Sequence, residues 1–170
     1  MNQSRRLCSV YYKLFTKSPT KLSFFHNYHC QIISTSYKQY DRVVKYLLRN
    51  GAISDKQNNQ SLISSIQNHN IQMVKFFIKY GANVSSNKNR AIITACENGR
   101  LDMVKLLFKH GANPKAQNNL SLIKACENGK LSIVKYLIKC GANPYAQNNL
   151  PMKKAMENNH VRVINFLSKN

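Results

Sequence analysis

The hydrophobic pattern of the chain is a short stripe that keeps returning. Ile133, Val134, Leu137 and Ile138 stand at i, i+1, i+4 and i+5, a spacing that gathers them on one side of a helix and that a strand would scatter over both faces. Similar stripes lie in Val43-Val44-Lys45-Tyr46-Leu47-Leu48, Met73-Val74-Lys75-Phe76-Phe77-Ile78 and Met103-Val104-Lys105-Leu106-Leu107-Phe108, and a fifth in Val163-Ile164-Asn165-Phe166-Leu167. Four of them run into Gly51, Gly81, Gly111 and Gly141, each the start of a Gly-Ala pair and each 30 residues from the next. Register kept over so many copies predicts a repeat architecture whose units share one continuous core.

Each stripe is the second helix of its unit. An earlier segment in every unit predicts a first helix that is shorter and has smaller side chains: Leu62-Ile63-Ser64-Ser65-Ile66, Ile92-Ile93-Thr94-Ala95-Cys96, Leu122-Ile123-Lys124-Ala125-Cys126 and Met152-Lys153-Lys154-Ala155-Met156. Asn59, Asn89, Asn119 and Asn149 precede these segments and are expected to cap them, since an Asn side chain accepts the orphan N–H groups of an opening turn. Gly99, Gly129 and Asn159 suit the left-handed position that stops the first helix, as the four Gly-Ala glycines suit the stop of the second. Arg49, Lys79, Lys109, Lys139 and Lys169 are placed in the last turn of the second helix, where a cation meets the carbonyl end of the dipole.

The run from Gly129 through Ile133-Val134 and Leu137-Ile138 to Gly141-Ala142-Asn143 resembles the ankyrin repeat. The resemblance covers residues 31–170, as units 31–60, 61–90, 91–120, 121–150 and a terminal 151–170. It is weaker at the first helix, where the family's T-P-L-H-x-A reads Leu120-Ser121-Leu122-Ile123-Lys124-Ala125, and only Leu150-Pro151-Met152-Lys153-Lys154-Ala155 keeps the proline. The ankyrin period is 33, and the deficit falls between Gly-Ala-Asn and the first helix, so the projecting fingers should be stunted. This short variety is similar to ankyrin proteins of giant DNA viruses. The resemblance implies an all-α solenoid of stacked helix-turn-helix units that binds a protein partner and is not an enzyme. It implies a concave binding face of loop tips and first helices, here Lys88, Arg90, Thr94, Lys115, Lys124, Tyr145 and Lys154. For a viral protein it implies an adaptor or decoy for a host protein, in the host cytoplasm.

Charge adds a second candidate surface. Among 170 residues, 26 Lys and Arg oppose 6 Asp and Glu, a formal net charge of +20. Such a field attracts nucleic acid or an acidic membrane without specifying either, although a codon bias toward Lys and Asn has the same effect. Lys45 and Arg49, Lys75 and Lys79, Lys105 and Lys109, and Lys135 and Lys139 are i, i+4 pairs on second helices and make one basic outer face. Lys75 with Phe76 and Lys135 with Tyr136 place charge beside aromatic rings, as single-strand binders do. The same spacing also belongs to an ordinary solvated helix face.

Catalysis has little to rest on. Glu97, Glu127 and Glu157 are one repeated position, not a convergent pair, and they are expected to balance neighbouring lysines; Cys96 and Cys126 are likewise duplicated in register beside Ala95 and Ala125. Five cysteines with no C-x-x-C spacing predict a reducing, intracellular compartment. His26, His29 and Cys30, with Cys8 upstream, are metal-ligand types without a zinc spacing, so neither a metal nor a cofactor is expected. No apolar run approaches the ~18 residues of a membrane span. Residues 1–30 read as a degenerate, basic capping unit. Their rival is a mitochondrial presequence, because Arg5, Arg6, Lys13, Lys17 and Lys21 occur with no acid before Asp41.

Overall fold

A computed structural model of the chain describes residues 55–169. Eight helices follow one another there and no strand is found among the described residues: α1 (Asp55–Gln67), α2 (Ile71–Lys79), α3 (Ser86–Glu97), α4 (Leu101–Lys109), α5 (Ala116–Glu127), α6 (Leu131–Lys139), α7 (Ala146–Glu157) and α8 (Val161–Leu167). They alternate as first and second helices of stacked hairpins. First helices pack on first helices in chain order, α1 on α3 on α5 on α7, and each also packs on the second helix that follows it. The stack is the expected all-α solenoid. The proposed unit boundaries at 60, 90, 120 and 150 fall inside first helices, so the period holds while the structural unit starts in the preceding loop.

One seam holds the stack together. Met73, Val74, Met103, Val104, Leu107, Ile133, Val134 and Leu137 of the second helices lie against Leu62, Ile66, Ile92, Ala95, Cys96, Leu122, Ala125, Cys126 and Ala155 of the first, all essentially inaccessible. Each large side chain so buried stabilises by ~1.5–3 kcal/mol before entropy is subtracted. The small residues sit on the first helices, which lets those helices approach closely. The bulky second helices touch their neighbours at few points. The first helices thus pack on one another more closely than the second helices do.

Both helices of a unit end in the same way. The glycines Gly81, Gly111 and Gly141 have φ of 85–90°, and the N–H of Ala82, Ala112 and Ala142 donates to the carbonyl of Phe77, Leu107 and Leu137 at 2.9–3.1 Å. This is the Schellman closure, and the alanine after the glycine is buried in the seam. The first helices close likewise, Asn70 N–H to Ser65, Arg100 to Ala95, Lys130 to Ala125 and His160 to Ala155. Gly99, Gly129 and Asn159 take the left-handed position as expected, and His69 fills it in the first described unit at φ 56°.

Two expectations need correction. The first helices α3, α5 and α7 open with a left-handed turn, so that in α3 and α5 the right-handed helix proper covers only 90–97 and 120–127, shorter than the second helices α4 and α6 as expected. Asn87-Lys88-Asn89, Gln117-Asn118-Asn119 and Gln147-Asn148-Asn149 all have φ between 50° and 66°. The Asn series does not cap its own helix. Instead Asn59 Oδ1 accepts from the N–H of Asn83 at 2.7 Å, Asn89 from Asn113 at 2.8 Å and Asn119 from Asn143 at 2.8 Å. The bonds run from one unit to the next. Finally, Lys79, Lys109 and Lys139 sit in their helix ends, but Lys169 lies beyond α8, which stops at Leu167. Arg49, Gly51, Lys45 and the segment 1–30, with its cap, presequence and metal readings, lie outside the described residues.

Candidate protein-binding face

The loop before each first helix is built by a second Asn. Asn83, Asn113 and Asn143 accept, through Oδ1, the N–H two residues on, from Ser85, Lys115 and Tyr145, at 2.9 Å each. This Asx turn projects residues 85, 115 and 145 outward. The left-handed turn then follows, and it is tied to the preceding unit by Gln117 Nε2 donating to Lys88 O at 2.7 Å and Gln147 Nε2 to Asn118 O at 3.0 Å. Loop tips are therefore fixed to one another by side-chain amides, in place of a strand pairing.

On this scaffold Lys88, Arg90, Lys115 and Tyr145 are exposed, Tyr145 to 57%. The Lys115 side chain lies along the backbone of Gly141 in the next unit. Lys124 and Lys154 are half-buried, and each Nζ binds the Glu three residues on, Glu127 at 2.7 Å and Glu157 at 2.6 Å. The Glu157 hydrogen bond, with Glu127 nearby, raises the pKa of Lys154. Thr94 is the exception: it is 3% exposed, so it offers nothing to a partner. Burial follows from its place between the small faces of neighbouring first helices, and its Oγ1 has no hydrogen-bond partner, as is also true of Ser121 Oγ. With Thr94 in place of a lysine, Glu97 lacks the i−3 cation that Glu127 and Glu157 have. The expected balance of acid by lysine thus holds in α5 and α7 and fails in α3.

The outer face is also placed. Lys75, Lys79, Lys105, Lys109, Lys135 and Lys139 are all exposed on α2, α4 and α6. Two of them reach across units: Lys105 Nζ stands 5.8 Å from the ring centre of Tyr136, and Lys135 Nζ 5.4 Å from that of Phe166. Charge and aromatic ring alternate, but the ring belongs to the next unit and is covered by the lysine. The second helices carry a single acid among the described residues, Asp102, gripped by Arg100 through two hydrogen bonds of 2.8 and 3.1 Å that hold its carboxyl below the usual range.

The cysteines are packing residues in the geometry. Burial, with Glu97 adding, pushes the Cys96 thiol far up, and burial raises Cys126 to about 12. A thiol so shifted stays neutral and unreactive. Among the described residues no three His, Cys, Asp or Glu side chains group closely enough to hold a metal ion, and no helix is long and apolar enough to cross a membrane.

The sequence missed the two amide ladders. The only signal for them was the invariable spacing of Asn59, Asn89 and Asn119, which reads equally well as capping until tertiary structure shows where Oδ1 points.

Stacked hairpins, a shared seam and ordered loop tips define a solenoid scaffold whose product is a surface. A model of ankyrin repeats in three copies matches residues 32–118, and a single ankyrin repeat matches residues 121–149. The chain belongs to the ankyrin-repeat family. Ankyrin repeats indicate a protein–protein interaction module, and neither match indicates a catalytic family. A comparison with curated proteins finds no match to the chain.

Proposed function

We propose that this chain is a non-enzymatic recognition module that binds an acidic segment of a protein partner along its loop tips and first helices, as a viral adaptor or decoy acting in a host cytoplasm. The supporting observation is the charge left over on that face. Glu127 and Glu157 are already neutralised within the chain, whereas Lys88, Arg90 and Lys115 are exposed and Tyr145 adds an aromatic surface. Contacts of this kind steer association and set specificity. Affinity purification from cells, comparing the native chain with a Lys88→Glu, Lys115→Glu, Tyr145→Ala variant, tests the assignment. Loss of the captured partner at unchanged fold supports it; an identical set of captured proteins overturns it.

A second reading, a basic electrostatic module for nucleic acid or an acidic membrane, is supported by the six exposed lysines of α2, α4 and α6. It requires binding that weakens steeply as salt rises. Tyr136 and Phe166, each already covered by a lysine, favour a purely electrostatic contact over base stacking.

A further inference from the structure

Apart from one position in the first turn of each, every exposed residue of α2, α4 and α6 is a lysine, and no apolar side chain of these helices is exposed. The lysines make two rows that cross three units, Lys75, Lys105 and Lys135 in one and Lys79, Lys109 and Lys139 in the other. Four residues of helix separate the rows by ~6 Å. The spacing of packed helices, ~8–10 Å, sets the step along each row.

This charge is not spent within the fold. None of the six lysines pairs with an acid among the described residues, and Asp102, at the far end of α4 from Lys109, is held by Arg100. Half of the lysines are also held in place by aromatic rings. Lys79 Nζ stands 5.7 Å from the ring centre of Tyr80, Lys105 Nζ 5.8 Å from that of Tyr136 and Lys135 Nζ 5.4 Å from that of Phe166. A side chain already held in position loses less freedom when it binds.

We propose that this face binds double-stranded DNA through its phosphates, the two rows of lysines meeting the two strands on either side of the minor groove. This deepens the second reading, on which it rests, by naming the ligand and the face. The B-form minor groove is ~6 Å wide, which is the separation of the rows. A step of ~8–10 Å corresponds to about two to three base pairs at ~3.4 Å each. In duplex RNA the minor groove is wide and shallow, so one row would lose its strand. Single strands bind by stacking bases on open rings, and here the rings of Tyr136 and Phe166 lie under lysines. Stable membrane attachment takes an apolar signal beside the basic one, and this face exposes no apolar side chain. An acidic peptide would have to be ordered on binding, whereas a duplex arrives with its charges already spaced.

The test is fluorescence anisotropy of a labelled DNA duplex of about two helical turns, titrated with the full 170-residue chain over a series of salt concentrations. Six phosphate contacts predict that log Kd rises with log salt at a slope of about 5. Lys109→Gln with Lys139→Gln should lower that slope by about 2 and weaken binding about tenfold or more, with the helical spectrum unchanged. A control of equal charge on the loop tips, Lys88→Gln with Lys115→Gln, should leave affinity within about twofold, because charges beyond a Debye length are screened. Equal losses from the two pairs would mean that net charge alone does the binding, which overturns the proposal and leaves the second reading standing. Duplex RNA bound as tightly as DNA, or single-stranded DNA bound more tightly than the duplex, overturns it in the same way. Sedimentation with phosphatidylserine vesicles and no affinity for the duplex overturns it in favour of a membrane. Failure to bind duplex, single strand and vesicles at low salt overturns both.

Discussion

Asn119 carries two separate duties. It holds a left-handed backbone at φ 66°, and its Oδ1 accepts the N–H of Asn143 in the next unit. Alanine would lose the hydrogen bond and also strain the backbone, costs of about 0.5–1.5 and 1–2 kcal/mol. Asn119→Ala should therefore lower unfolding free energy by about 2–3 kcal/mol, and Asn119→Gly, which keeps the backbone relaxed, by roughly half as much, as read from urea titrations. Equal losses would show that the backbone is not strained. The thiols give a second residue-scale expectation. A thiol ionises near 9.0 when free of the fold, and Cys126 only near 12 within it. The folded state thus favours the neutral form. Its contribution is complete below 9.0 and is lost as pH climbs from there toward 12, so stability should decline over that window and less so in Cys126→Ala. Thiol labelling of the folded protein at about pH 8, mapped by mass spectrometry, should mark the half-buried Cys140 and spare Cys96 and Cys126 until denaturant is added.

At the scale of the element, the joint between first and second helix is set by a glycine with a neighbour resting on it. A Cβ on Gly129 would stand 2.6 Å from Nδ1 of His160, whose Nε2 is bonded to Glu127 O at 2.9 Å, whereas a Cβ on Gly81 would meet open space. Both glycines have positive φ, so alanine strains either backbone by about 1–2 kcal/mol. Gly129→Ala should cost more than Gly81→Ala, and the excess should vanish when His160 is also made Ala, a coupling that a double-mutant cycle measures. The helices themselves were legible in the sequence because the stripes of Met73, Met103 and Ile133 and their Gly-Ala stops are local signals. The opening of the first helices was not. Nothing in Gln117-Asn118-Asn119 distinguishes a cap from a left-handed turn, because Asn suits both and the choice depends on an N–H that a different unit supplies.

For the whole molecule, contacts run only between neighbours, so stability should vary along the stack. Amide exchange should be slowest in α4 and α5, whose Leu107 and Leu122 are sealed on both sides, and fastest in α8, which packs on described neighbours from one side only. Leu107→Ala should cost about 2–5 kcal/mol. Leu167→Ala should mainly speed exchange in α8. A uniform exchange rate from α1 to α8 would show instead that the stack unfolds as one unit.

The candidate faces were legible only in part, and the reason is the same at each scale. Residue order determined the repeat, its period, the helical stripes and the positive charge, because propensity, spacing and ionisation are properties of short stretches of chain. It also placed Lys88, Lys115 and Tyr145 at projecting loops. Tertiary packing decided which charges remain free: it joined Lys124 to Glu127 and Lys154 to Glu157, spread Lys105 and Lys135 over rings of the following unit, and buried Thr94. Exposure and pairing depend on what a neighbouring unit brings within a few ångströms, and that is set by the stack and not by any single repeat.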